Sequence, residues 1–157
     1  MRILGIDPGT SLIGYGIIES SKSGWKALEF DKFETLKNLS SKDRVLGIYT
    51  FFDKLIKKFK PERLSIERLF FFKNNKTVMG VSEIRGVLLL VAAKNGIEID
   101  EFTPLEVKQA VSSYGRADKK QVQQMVKLIL GLDKEPRPDD VADALALAIC
   151  SANTLRY

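Results

Sequence analysis

The chain has 157 residues, 45% apolar and 29% charged, which is the scale of one ordinary domain and excludes a disordered polymer. It has no His, which excludes triads, proton shuttles and metal sites built on imidazole, so hydrolytic chemistry falls to carboxylates, Lys, hydroxyls or a metal ion. The net charge of +5 hints at a polyanionic partner, a hint that many mildly basic proteins also give without having one.

Residues 1–157 are expected to form a single domain. The lone Cys150 sits in an apolar run and predicts a buried free thiol in a reducing, cytoplasmic protein. The first apolar run is too short for a signal peptide and contains Asp7. The longest uninterrupted apolar stretch, Gly86 to Ala93, is too short to span a bilayer, and no membrane role is expected.

Ile3 to Ile6 reads as a buried strand that ends in Asp7, with Pro8-Gly9 forcing a turn. Gly14 to Ile18 then returns as the second arm of a hairpin. Asp7 has two readings at this point: it caps the turn through its own backbone, or it serves chemistry. Trp25 to Thr35 alternates as a third strand. Ser40 or Ser41 caps a helix that runs to about Lys60, with Val45, Ile48, Tyr49, Phe52, Leu55 and Ile56 inward. Its Lys54, Lys57, Lys58 and Lys60 form a solvated basic face that suits the helix dipole.

Arg63 to Glu67 is a short strand ending in a second carboxylate. Leu69 to Lys76 is a loop loaded with Phe. The helix predicted from Thr77 to Lys94 is apolar around most of its circumference, which implies burial on two sides, one by the sheet and one by a second subunit. Gly80 and Gly86 inside it point to close packing. Ile97 to Phe102 is the next strand. Thr103 caps a helix through Val111, Ser112 to Ala117 is a loop, and Asp118 caps a helix from Lys119 to Leu130. Leu132 to Pro138 is a rigid connector, and Asp139 to about Asn153 is the last helix. The order predicts an α/β fold, a mixed sheet with an antiparallel hairpin in front and helices on its faces.

Acids mark three element ends: Asp7, Glu67, and the pair Asp140 and Asp143. The first and fourth strands are expected side by side, so Asp7 and Glu67 emerge at one edge. Asp140 and Asp143 share a helix face. Acids at a helix N-terminus have a structural excuse in the dipole, but Asp143 lies a turn into an apolar stripe and has none. Four crowded acids repel unless a cation neutralises them, and an all-oxygen set suits Mg²⁺ or Mn²⁺. Two ions about 3.5–4 Å apart clamp the attacking and leaving oxygens of a phosphodiester without any His.

Gly5-Ile6-Asp7-Pro8-Gly9-Thr10, Ile66-Glu67 ahead of Phe70, Val107-Lys108-Gln109 and Asp140-Val141-Ala142-Asp143-Ala144-Leu145-Ala146 resemble, in order and spacing, the RuvC family of Holliday-junction resolvases. The resemblance covers nearly the whole chain. It implies a five-stranded RNase H-like fold of the retroviral-integrase superfamily, a homodimer through helix 77–94, and Mg²⁺-dependent incision of two strands of a four-way DNA junction, with Mn²⁺ able to substitute. It maps the catalytic and metal-binding acids onto Asp7, Glu67, Asp140 and Asp143, taking Asp140 rather than Asp139. It puts DNA contacts at Phe70, Lys73, Lys76, Lys108, Arg116, Lys119 and Lys120, with Phe70 stacking on a base and Lys108 and Lys119 near the scissile phosphate. It also implies a short thymine-containing cleavage sequence and a branch-migration motor as partner. Three positions depart from the family pattern. Arg68 is a cation able to pair with an active-site acid, Ser113 replaces a common Gly and stiffens its loop, and Phe70 to Phe72 is bulkier than expected. Three rivals stay open: an RNA-cleaving nuclease like the YqgF family, an actin-like kinase sharing Asp-x-Gly-Thr, and a non-catalytic junction-binding scaffold.

Overall fold

A computed structural model describes residues 1–36, 38–69 and 75–155, leaving aside the side chains of Asn75 and Lys76. The elements are β1 (Arg2–Pro8), β2 (Leu12–Ser21), β3 (Gly24–Glu34), α1 (Ser41–Phe59), β4 (Arg63–Glu67), α2 (Asn75–Lys94), β5 (Glu98–Phe102), α3 (Pro104–Ser112), α4 (Lys119–Leu130) and α5 (Asp139–Thr154). The sheet order is β3-β2-β1-β4-β5. The β1–β2 and β2–β3 pairs are antiparallel, and β1–β4 and β4–β5 are parallel. This is the mixed five-stranded sheet that the element order predicts.

Both sheet faces are covered, so the central strands are apolar throughout but divide their residues by parity. Leu4, Ile6, Ile13, Tyr15 and Ile17 point to one face and form a core with Ile48 and Phe52 of α1 and Ile84 and Leu88 of α2. Ile3 and Ile18 point to the other and pack against α3, α4 and α5. Residues 5 and 7 of β1 therefore face α5. So do residues 65 and 67 of β4, since the buried Ser65 hydroxyl donates to the Leu147 carbonyl of α5 at 2.7 Å.

α5 lies unusually close to the sheet because glycines floor its seat. A methyl group at Gly5 would sit 1.9 Å from the Ala144 carbonyl oxygen, and one at Gly14 would sit 2.1 Å from that of Asp140. No real contact is that short, so the backbone of α5 rests where side chains would otherwise stand. A second tie holds the far end of α5. The Arg63 guanidinium grips the Asp100 carboxylate at 2.7 and 2.5 Å, and Ser151 Oγ donates to Asp100 at 2.6 Å. Burial opposes ionisation of Asp100, yet these bonds outweigh it and hold its carboxyl below the usual range.

The helix starts follow local chemistry. Ser40 accepts from the Asp43 amide at 3.1 Å, and Thr103 and Asp118 each form a capping box, with Glu106 and Gln121. The Cys150 thiol is free and buried, and burial, then Glu106 and Asp100, push its pKa up to about 12.

Three expectations change. β1 runs through Asp7 to Pro8 in register with Gly14 and Ile13, so Asp7 is a strand residue and not the corner of the turn. α2 begins at Asn75, inside the expected loop. Gly80 does pack closely, since a methyl there would lie 3.0 Å from Thr10 Cγ2, but Gly86 meets nothing within 4 Å among the described residues. Within the chain α2 is buried on one side through Ile84, Leu88, Val91 and Ala92, while Met79 and Leu90 stay 68% and 53% exposed. Ser113 caps α3 in the left-handed conformation, φ 58°, which favours Gly.

Candidate active site

The last paired residues of β1 and β4 are Ile6 and Ile66, and the next residue on each strand is an acid. Asp7 and Glu67 thus emerge side by side at the carboxyl ends of parallel strands, on the face that α5 covers. Asp140 is seated over Gly14, the register partner of Asp7. Asp143 is one turn further along α5 and reaches a cleft of about 230 Å³ lined by Glu67, Lys108, Lys119 and Asp143 above Val107 and Leu147. The topology therefore brings together four acids from three elements.

Their electrostatics are unfavourable as they stand. Burial, then Asp143, Asp140 and Glu67, push the Asp7 pKa up to about 7 against the relief of Lys119. Burial and Asp143 raise Glu67. Burial raises Asp143, with Asp140 and Asp139 adding and Lys119 and Lys108 opposing. Among the described residues no hydrogen bond contributes at any of the three. Carboxylates held without donors and forced together are the donor chemistry of a hard divalent cation. Among the described residues, no group of three such side chains is already drawn to ligand spacing around one point. The residues fit a divalent cation by the chemistry of their oxygens.

Asp139 is different. It accepts from Gln123 Nε2 at 2.7 Å and from Arg137 at 3.4 Å, and Lys119 Nζ lies 4.0 Å away. Its oxygens are engaged in holding α4 to α5, which separates it from Asp140. Of the basic residues singled out from the sequence, Lys108 and Lys119 line the acid cleft. Arg116 and Lys120 are exposed. Phe70 and Lys73 lie outside the described residues, as does the Lys76 side chain.

Arg68 does not pair with an acid of the site. Its guanidinium donates to the Glu101 carbonyl at 3.3 Å and its amide to the Phe102 carbonyl at 2.8 Å, because the strand end turns it toward β5. The cation that touches the Glu67 strand end is Arg85 of α2. It donates from Nε to the Glu67 carbonyl at 3.3 Å and pairs with the Glu101 carboxylate. Nothing in the sequence marked Arg85. Gly5 and Gly14 were also missed, although isolated glycines inside strands are a readable sign of close backbone approach.

The raised pKa values give a signed prediction. The native state holds a proton on Asp7 up to about pH 7, whereas the unfolded chain releases it near 3.8. Folding therefore takes up a proton between those values, and cation-free stability falls as pH rises through that window. Thermal unfolding in chelator is expected to give a lower Tm at about pH 8 than at about pH 6. Mg²⁺ is expected to raise Tm more at the higher pH. A Tm gap between the two conditions as large in Asp7→Asn as in wild type would contradict this.

The family model for Crossover junction endodeoxyribonuclease RuvC matches residues 3–151. The chain belongs to the RuvC family. It is 52% identical over 156 residues to the RuvC of Ruminiclostridium cellulolyticum, covering 99% of this chain and 94% of that one. The solved Thermus thermophilus RuvC structure superposes with a TM-score of 0.92 at 33% identity, covering 99% of this chain and 96% of that one. T. thermophilus RuvC in complex with Holliday junction substrate gives 0.90 at 31% identity, with the same coverage. The fold is thus RNase H-like. The chain is an endodeoxyribonuclease of the junction-resolving class, a hydrolase of DNA phosphodiesters in recombination and repair, and its family is metal-dependent. The RNA-nuclease, kinase and scaffold readings give way to it. No helix among the described residues is long and apolar enough to cross a membrane.

Proposed function

We infer that this RuvC-family chain cuts two symmetry-related strands of a four-way DNA junction, with Asp7, Glu67, Asp140 and Asp143 holding Mg²⁺, two ions per site, and Mn²⁺ as a substitute. The observation that carries the assignment is the convergence of those acids on one face, without hydrogen-bond relief at Asp7, Glu67 or Asp143 among the described residues, beside Lys108 and Lys119. When bound, the cations supply Lewis acidity and charge neutralisation.

The chain's own residues do the rest. β1 and β4 hold Asp7 and Glu67 rigidly, since both strands are hydrogen-bonded on each side. α5 holds Asp140 and Asp143 against them. Water adds to phosphorus and a sugar oxygen leaves, so negative charge grows on the phosphoryl oxygens. Lys108 and Lys119, which line the cleft, stabilise that charge. Phe70, Lys73, Lys76, Arg116 and Lys120 complete the DNA contacts, Phe70 by stacking, with a short thymine-containing sequence preferred for cutting.

The whole chain acts as one nuclease domain, and two copies associate through α2. The exposed Met79, Gly86 and Leu90 lie on one helical stripe with no covering neighbour among the described residues, which suits a second copy. A two-fold axis then pairs two active sites with two strands. A branch-migration motor delivers the junction, and the protein works in the cytoplasm.

A strand-resolved assay on a mobile synthetic four-way junction in Mg²⁺ tests this reading. Paired, symmetric nicks are expected. Tight binding with no cut in Mg²⁺ or Mn²⁺ would remove the catalytic assignment. Leu90→Glu places a charge on the proposed dimer stripe and is expected to yield a folded monomer by sedimentation, with paired nicking lost. A Leu90→Glu protein that remains a dimer would place the interface elsewhere.

A further inference from the structure

Arg44 sits in the first turns of α1 and is half-buried, its Nε wholly so. That Nε has no hydrogen-bond partner among the described residues, and it is the sole buried side-chain nitrogen or oxygen there of which this is true. A buried guanidinium N–H without an acceptor is costly, and its natural complement is an anion. The ion pair Arg44 does make is loose, 3.6 Å from Nη2 to Glu83 Oε2, and Glu83 is mostly exposed.

Arg44 also lines a notch of about 190 Å³ with Thr10, Ser11, Thr35, Leu36 and Leu39. Three of those residues carry hydroxyls. Among the described residues the Thr35 hydroxyl makes only long bonds, 3.3 and 3.4 Å, to the carbonyls of Thr10 and Ser11. The notch thus offers a planar cation and small hydroxyl donors with no acid lining it. That is the composition of a phosphate-binding site, since Arg matches phosphate oxygens through its forked N–H groups. Its location matters as much. Thr10 and Ser11 belong to the turn that directly follows Asp7 and Pro8, and α2 pins that turn where Gly80 meets Thr10. The notch is therefore built on the segment that follows the strand end carrying Asp7.

We propose that the Thr10, Ser11, Thr35 and Arg44 notch binds a backbone phosphate flanking the cleaved one, and so sets the register of the strand on the catalytic acids. The proposal rests on the resolvase reading of Asp7. Phosphate contacts position a nucleic acid without reading its sequence, so the notch acts alike on all junctions.

The test is a scan of single methylphosphonate substitutions, which remove one phosphate charge at a time, along the cleaved strand of a four-way junction. Binding is compared for wild type, Arg44→Gln and Glu83→Gln, each confirmed by thermal unfolding and sedimentation to be folded and in one oligomeric state. Arg44→Gln is expected to weaken binding about 10-fold at any sequence and to lower the salt slope by about 1. At one flanking position the methylphosphonate is expected to weaken wild type by a similar factor and Arg44→Gln no further. Glu83→Gln releases Arg44 and is expected to bind as tightly as wild type or tighter. Equal losses in wild type and Arg44→Gln at every position would overturn the proposal and leave the notch, at most, a site for free anions. A loss in Glu83→Gln that matches Arg44→Gln would overturn it too, showing Arg44 to be a strut between α1 and α2. If wild type neither binds nor cuts the junction, the resolvase reading fails and the proposal falls with it.

Discussion

Asp7→Asn is expected to lower junction cleavage by at least about 10³-fold, equivalent to ~4 kcal/mol of transition-state stabilisation, while binding of the junction persists. The change is isosteric, so β1 and its pairing with Gly14 remain. What disappears is the anionic oxygen at the most crowded point of the acid cluster, where burial and three neighbouring acids act on one carboxyl. An amide is a far weaker ligand for a hard divalent cation than a carboxylate. The same substitution is expected to stabilise the cation-free protein above pH 7, because it removes a charge that folding otherwise forces into the cluster. Activity and stability should therefore move in opposite directions. Strand-resolved cleavage, gel-shift binding and thermal unfolding in chelator measure the three quantities. Retained cleavage, or loss of cleavage together with loss of the fold, would contradict the assignment.

Gly14→Ala is the second large effect, and it changes no charge. The added methyl would lie 2.1 Å from the Asp140 carbonyl oxygen, 2.3 Å from its carbonyl carbon and 2.8 Å from the Val141 nitrogen. All three are backbone atoms of α5, so no side-chain rotation relieves the clash and the helix itself must lift. Overpacking at so rigid a place is expected to cost about 3 kcal/mol or more. Because α5 carries Asp140 and Asp143, the lifted helix also takes two acids away from Asp7 and Glu67. Denaturant unfolding should show the lost stability, and cleavage should fail even where the variant remains folded. Gly47→Ala in α1 is the control, since nothing lies within 4 Å of the added methyl. It is expected to raise stability by up to about 1 kcal/mol and leave cleavage intact.

The two predictions differ in how visible their residues are in the sequence. Asp7 stands out because a charge at the end of an apolar strand needs a reason. Gly14 does not stand out, since its role depends on a helix that begins 125 residues later in the chain. The four acids were likewise legible one by one, but which atoms they meet was not. Asp139 and Asp140 are adjacent and chemically identical. Only the packing of α4 against α5 shows that Gln123 occupies Asp139, with Arg137 of the connector beside it. Lys108 and Lys119 carry no local signal that ranks them above Lys120 or Lys127, and the cleft selects them. Arg68 looked like the neighbour of the acids because it follows Glu67, yet Arg85 of α2 reaches that strand end.

Element order, helix caps, the hairpin and the oxygen-rich chemistry of the site were determined by the sequence alone. They rest on periodicity, capping and composition, whose physics acts over a few neighbouring residues. The tertiary structure decided which face each strand residue takes, how near α5 comes to β1, and which cations join the acids. Those depend on register and on contacts between separate elements, and a one-residue slip in register would turn Asp7 to the opposite face.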